Sequence, residues 1–281
     1  MKMKKIRKFV VLMLMGVLTL NSCSNEESVI TPVSDDSESL IEARQSGEID
    51  VLSEGVSAVI EEVYTNDELS SNSRMLDAVS YLPGCVTITT VVTAISKEKT
   101  IDFGEGCELP NGHIIKGIIY MSYQKDMTAL TKEISVSFQN FYVNEISIQG
   151  VKTVFRERSN TNSNPQSTFN VDILVTWPDG AYASRVGERV REWIEGYGSG
   201  NWGDNVFLIT GNRTTTFRNG NIRAGEVVQA LRRELACNFL VSGIVELQRN
   251  NNMITLDFGD GLCDNEAIVT LSDGTTHVVY L

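Results

Sequence analysis

Phe169-Asn170-Val171-Asp172-Ile173-Leu174-Val175-Thr176-Trp177 is a run of strand-forming residues, and Pro178-Asp179-Gly180 follows it directly. The proline presets φ, the aspartate bonds the turn and the glycine takes the positive φ that a hairpin needs, so the run reads as one arm of a hairpin. Asn219-Gly220 separates two further strand-like runs, residues 206–217 and 222–231, and Asp273-Gly274 lies near the end of the chain. Residues 114–123 and 134–141 are strand-like as well. Turn signals recur about every ten residues from Val79 onward, the spacing of an all-β domain of about twelve strands. The sequence therefore predicts, over residues 79–281, a single large antiparallel β-meander, curled as an open barrel or folded as a two-sheet sandwich. A hydrophobic fraction of 42% suffices for one core in a body of this size.

Two segments are ambiguous. In residues 185–194 the positions of Val186, Val190, Trp193 and Ile194 suit a helix, yet the preceding turn calls for a returning strand, and strand is the expectation. Residues 227–235, VVQALRREL, fit either element, with two valines favouring strand.

The N-terminal quarter differs in character. Residues 1–8, MKMKKIRK, carry five positive charges, and residues 9–20 are apolar apart from Gly16 and Thr19. This is the n-region and h-region of a signal peptide spanning residues 1–22, too short to cross a bilayer. Leu20-Asn21-Ser22-Cys23 resembles the bacterial lipobox. The resemblance implies cleavage before Cys23 and lipidation of Cys23 by acyl chains such as palmitate. The protein would then be a lipoprotein whose membrane partner is reached through its N-terminal lipid. Ser24-Asn25-Glu26-Glu27 resembles the surface-export signals of Bacteroidota lipoproteins, which implies an outer-membrane, cell-surface location. Residues 23–49 are polar and acidic and read as a disordered tether. In residues 50–65, Val51, Leu52, Val56, Val59, Ile60 and Val63 fall at helical spacing, predicting a short amphipathic helix that covers one opening of the β domain.

Removal of residues 1–22, which hold Lys2, Lys4, Lys5, Arg7 and Lys8 and no acid, takes the formal net charge from −12 to about −17. Such a surface repels phosphate backbones, so nucleic acid is not an expected partner. Beyond Cys23 the chain has Cys85, Cys107, Cys237 and Cys263, an even number that predicts two disulfides in an exported protein. Cys237 and Cys263 lie symmetrically about Asn250 in a turn-like Arg249-Asn250-Asn251-Asn252, and Cys85 and Cys107 flank Lys97-Glu98-Lys99. Hairpins about those turns pair Cys85 with Cys107 and Cys237 with Cys263. The close cysteine pairs that a zinc site requires do not occur in the sequence.

The two cysteine hairpins belong to an internal repeat, residues 85–123 and 237–281. Thr100-Ile101-Asp102-Phe103-Gly104-Glu105-Gly106-Cys107 in the first copy matches Thr255-Leu256-Asp257-Phe258-Gly259-Asp260-Gly261-Leu262-Cys263 in the second. Asp102 with Glu105, or Asp257 with Asp260, offers two carboxylates to calcium, which takes six to eight oxygens. The favoured reading is a glycine corner held by its aspartate, and no metal is expected. The Gly-rich loop, strand lysine and catalytic loop that accompany the kinase D-F-G are missing. The body resembles a group of uncharacterised Bacteroidota lipoproteins with TIDFG-x-GC and CDN segments. The matching stretches are residues 100–107, Phe138-x-Asn140-Phe141-Tyr142-Val143-Asn144, Trp193-Ile194-x-Gly196-Tyr197-Gly198 and Cys263-Asp264-Asn265. The resemblance implies a shared fold and favours strand for residues 185–194.

Catalytic chemistry finds little to work with. The two histidines, His113 and His277, each sit beside a predicted turn and outside any triad or metal motif. Gly196-Tyr197-Gly198-Ser199-Gly200 places its serine one position late for a nucleophile elbow and reads as a loop. Trp177, Trp193, Tyr197 and Trp202 could stack on sugars, but their bulk suits a β core better. No cofactor, catalytic residue or enzymatic activity is expected. The leading functional expectation is a membrane-anchored binding or structural module that contacts glycan or protein. The alternatives are a carrier for an apolar ligand enclosed by the curled sheet and a glycoside-directed hydrolase with two facing carboxylates.

Overall fold

The computed structural model describes residues 35–70 and 82–281; the signal segment, Cys23 and the adjoining stretch to residue 34 lie outside the described residues. Among the described residues helix α1 (Asp35–Ser70) comes first, followed by fourteen strands. In chain order the strands are β1 (Thr87–Val92), β2 (Ser96–Asp102), β3 (Cys107–Glu108), β4 (Ile114–Gln124), β5 (Thr131–Val143), β6 (Ile146–Glu157) and β7 (Gln166–Thr176). The second half comprises β8 (Tyr182–Glu195), β9 (Val206–Phe217), β10 (Ile222–Glu234), β11 (Leu240–Arg249), β12 (Asn252–Asp260), β13 (Glu266–Thr270) and β14 (Thr276–Tyr280). All belong to one sheet in which each strand pairs with its sequence neighbour, except that the two-residue β3 pairs with β4 off the main path. Every pairing is antiparallel. The chain is thus an all-β meander, and of the two predicted forms it takes the curled open one, with β1 and β14 as its unpaired edges.

The turns form as their residues dictate. Gly180, Gly220 and Gly274 have φ of +81°, +86° and +88°, and the N–H of each donates to the carbonyl three residues back. In each turn the side chain of Asp179, Asn219 or Asp273 accepts the backbone N–H two residues on. Between turns the side chains alternate: in β7, Phe169, Val171, Ile173 and Val175 point inward and are buried, while Asn170 and Asp172 face solvent. Residues 185–194 form part of β8, as expected. Residues 227–235 are strand almost to their end, because β10 is bulged: its register shifts between Val227 and Gln229, between Gln229 and Arg232, and between Arg232 and Arg233. Each bulge resets the alternation, which is why the sequence fits neither period cleanly.

The helix corrects the expectation in extent and in place. It begins at Asp35, so residues 35–49 of the predicted tether are helical, and it ends at Ser70, five residues beyond the predicted 65. Nor does it cap an opening: the sheet curls around it. Glu38 and Glu42 meet Asn219 in the β9–β10 turn, whereas Glu68 meets Arg156 and Arg158 at the end of β6. The predicted apolar positions are buried, but so are the polar ones between them, including Ser53, Glu54, Ser57, Glu61 and Glu62. A helix enclosed on all sides has no solvent face to be polar on, so amphipathicity is the wrong description.

Close packing of helix on sheet depends on three glycines. A Cβ on Gly47 would lie 2.8 Å from Leu281 Cδ2, so its absence lets the C-terminal residue reach the helix. On the sheet, Gly187 and Gly225 are the register partners of Arg213 on either side, and a Cβ on Gly225 would lie 3.0 Å from Arg213 Nε. The missing side chains leave a lane along which the guanidinium reaches the helix at Asp50.

Asp50 is fully buried and accepts hydrogen bonds from Arg185, Arg189 and Arg213. Asp50→Ala is expected to lower stability by about 3–5 kcal/mol, because it strands buried guanidinium charge. Arg232→Ala, at a partly exposed pair with Glu195, is expected to change it by about 0.5 kcal/mol or less. Urea unfolding midpoints of the two variants, at unchanged slope, check the contrast.

Candidate functional site

The interior is built from charge as well as apolar contact. Along α1 the carboxylates are met in turn by cations from the inward face of the sheet. Glu42 accepts from Arg223, whose Nη2 also donates to Ser39 Oγ at 2.8 Å. Asp50 is followed by Glu54, 3.0 Å from Arg189 and 3.3 Å from Arg191. Glu61 pairs with Arg191, and Glu68 with Arg156 at 3.2 Å and Arg158 at 3.0 Å. Asp67 takes Lys97 and Lys99, both at 2.9 Å, and the Tyr123 hydroxyl at 2.8 Å. Guanidiniums also lie over rings, Arg191 at 3.5 Å from the Phe207 centroid and Arg156 at 5.7 Å from that of Trp193. Burial alone would raise the Asp50 carboxyl, but Arg189, Arg213 and Arg185 outweigh it and hold Asp50 below its usual range.

Several recesses open outward, among them a groove on the sheet and a pocket between the repeat copies. The larger, about 630 Å³, is a groove over the outer face of β1, β2, β4, β5 and β6, with Val91, Tyr120 and Val151 among serines and threonines. The smaller, about 300 Å³, lies where the two ends of the sheet approach each other. Its first wall is Asn111, Gly112 and His113 before β4 together with Asn144 and Ile146; its second is Asn238, Phe239 and Leu281; Glu48, Val51 and Leu52 of α1 form the floor. The two repeat copies thus face each other across it.

Local structure fixes these side chains. Asn144 sits in a left-handed conformation, φ +48°, in the β5–β6 turn. Its N–H donates to the Ile114 carbonyl, and its Oδ1 accepts the Ile114 N–H at 2.9 Å. That orients the Asn144 amide nitrogen toward His113 Nδ1, 2.7 Å away. Nδ1 is then an acceptor, and the ring proton resides on Nε2. Burial, reinforced by Arg233, lowers the His113 pKa and keeps the ring neutral. Glu48 accepts from Trp177 Nε1 and Arg44, each at 2.7 Å, and burial raises its pKa.

The residues singled out by the sequence fall as follows. Disulfides join Cys85 to Cys107 and Cys237 to Cys263, with Cα separations of 5.8 and 5.6 Å. Asp102 Oδ1 accepts the Gly104 N–H and Asp257 Oδ1 the Gly259 N–H, so both repeat copies use the aspartate to hold a glycine corner. Phe103 and Phe258 are both buried beneath those corners. Trp177, Trp193 and Trp202 are core residues, and Tyr197 packs edge-on against Trp193. Ser199 bonds Asp204 and the Asn201 carbonyl in a loop. His113 joins the smaller recess, while His277 lies on the edge strand β14 far along the sheet order. What the sequence reading missed is the inward arginine set and Asn111. A signal existed for the former: Arg185, Arg189, Arg191 and Trp193 share one parity of β8, the face that should be core.

Comparison with family models, with curated proteins and with solved structures finds no match to this chain.

Lys152, at the centre of the charged interior, is buried with its Nζ 3.5 Å from the Ser53 carbonyl. Burial pushes its ammonium from 10.5 down to about 7, although Glu54 acts in the opposite sense. Between those two values the unfolded chain holds a proton that the folded one has lost, so this residue makes stability rise with pH across that window. Lys152→Met is expected to raise the melting temperature most at pH 6 and to flatten the rise toward pH 10. Thermal melts from pH 6 to 10 test this, and an unchanged slope would count against it.

Proposed function

We propose that this chain is a lipoprotein, acylated on Cys23 and held at the outer membrane facing the cell exterior, that works as a non-enzymatic binding or structural module for glycan or protein. The observation that carries the reading is the occupied interior: α1 fills the space that the curled sheet encloses, and its carboxylates are tied there to arginines and lysines. Contacts with other molecules therefore fall to the outside.

The outer face supports water on that side. Thr153, Asn170, Glu188, Asn212 and Glu226 align across five neighbouring strands and are exposed. Acids at mid-strand suit solvent and would be costly against lipid. The two disulfides agree with an oxidising, exported environment. The carrier alternative needs enclosed apolar space where this protein has a charged helix. A hydrolase needs two carboxyls facing each other, one of them able to hold a proton; burial raises the Glu48 pKa, but Glu48 is the one acid lining its recess, and Asp50 is driven the other way.

Cys23→Ser is expected to abolish incorporation of labelled palmitate and to move the protein from the membrane fraction to the soluble one. In intact cells the wild-type chain is expected to react with a membrane-impermeant amine-biotinylation reagent. Palmitate labelling that survives the substitution would overturn the anchor, and biotinylation seen only after lysis would overturn the outward placement.

A further inference from the structure

The recess at the junction of the repeat copies has a property that packing does not explain. Asn111 is only 4% exposed, and its Oδ1 accepts the His113 N–H at 3.2 Å. That bond fixes the amide orientation, and the Nδ2 group on its other side has no hydrogen-bond partner among the described residues. Buried amide donors are nearly always satisfied, because leaving one unpaired forfeits its hydration without return. Asn111 lines the recess, as does the carboxamide of Asn238 opposite.

The groups around it define what would satisfy it. No oxygen of the described residues lies within hydrogen-bond distance of Asn111 Nδ2, so a ligand there would bring one. No lysine or arginine lines the space, and its one acid, Glu48, is already engaged by Trp177 and Arg44, so neither an anion nor a cation finds its counter-charge. Val51, Leu52, Ile146, Phe239 and Leu281 supply apolar wall and floor. A volume of about 300 Å³ lies at the small end of ligand pockets. A neutral molecule with oxygens on one side and C–H groups on the other, of that size, is a single sugar ring.

We propose that the recess between the two repeat copies binds one neutral hexose or N-acetylhexosamine ring, with Asn111 Nδ2 donating to a ring substituent oxygen and Phe239 contacting the C–H face. This deepens the binding-module reading and rests on it. In this arrangement the repeat has a purpose beyond symmetry: each copy contributes one wall.

The test is saturation-transfer NMR on the mature acylated chain in detergent, with D-glucose, D-galactose, D-mannose and N-acetyl-D-glucosamine as probes at about 1–30 mM, the range of weak single-ring binding. At least one sugar is expected to give a saturable signal, weakened about tenfold or more by Asn111→Leu. That variant gives up the Oδ1 acceptor of the His113 N–H along with the unpaired amide, so a modest fall in melting temperature is expected. Asn238→Ala, at a partly buried position, reads the same site should Asn111→Leu fail to fold. Saturable binding untouched by either substitution would place the sugar elsewhere, overturning the recess while leaving the module reading in place. The absence of saturable binding for all four sugars would overturn the sugar proposal and leave only protein contacts to that reading.

Discussion

A carboxylate at zero exposure, enclosed by three guanidiniums, sets the terms for the rest of this protein. Asp50 cannot sit in an apolar interior without them, and Arg185, Arg189 and Arg213 cannot turn inward from β8 and β9 without Asp50. Removing charge from water is expensive on both sides, and mutual attraction offsets it only where the geometry is matched. Matching is therefore strict. A slide of α1 by one turn, about 5.4 Å, would put Ser46 or Glu54 in the place of Asp50 and offset the other pairs along the helix. The pairs at Glu42, Glu54, Glu61 and Glu68 repeat the condition along the helix. Such pairs add little net stability over a well-packed apolar contact, but they allow one axial setting of helix in sheet.

The curled shape follows from the same constraint. A meander of neighbouring hairpins forms through local pairings, and nothing in those pairings decides how tightly the sheet bends. Its inward face carries cations on β2, β6, β8, β9 and β10, and at least one on each of these strands finds an acid on the one helix. The sheet must wrap the helix to satisfy them together. Glycines at 187 and 225 beside Arg213 show the backbone adapting to the charge rather than the reverse.

Most of the strand architecture was legible because each turn announces itself locally: Pro178-Asp179-Gly180, Asn219-Gly220 and Asp273-Gly274 form the hairpins their chemistry demands. The cysteine pairings were legible for a related reason, since both bridges close hairpins centred on visible turns. The helix was only half legible. Periodicity registers apolar side chains, and α1 is held largely by carboxylates, so residues 35–49 resembled a solvated tether although they bond to Arg223, Arg185 and Trp177. The small recess was illegible because it joins residues 111–113 to residues 238–239, and only the curl of the intervening sheet brings these together.

That curl also bears on the unpaired edges. Strand β1 is exposed over all six residues, TITTVV, and β14 shows Val278 and Tyr280 to solvent. Such uncharged edges invite pairing with other chains. Both edges lie within the repeat copies, and each copy ties its corner with a disulfide: Cys85–Cys107 spans the β1–β2 hairpin, and Cys237–Cys263 spans β11–β12. The cross-links hold the ends of the sheet to the turns that face each other over the helix, so the copies act as matched clasps on an unclosed cylinder. Closure by hydrogen bonding is absent among the described strands. The approach of Asn111, Gly112 and His113 to Asn238 and Phe239, over a floor supplied by α1, spans the opening instead and leaves a recess where a closed barrel would have had a continuous wall.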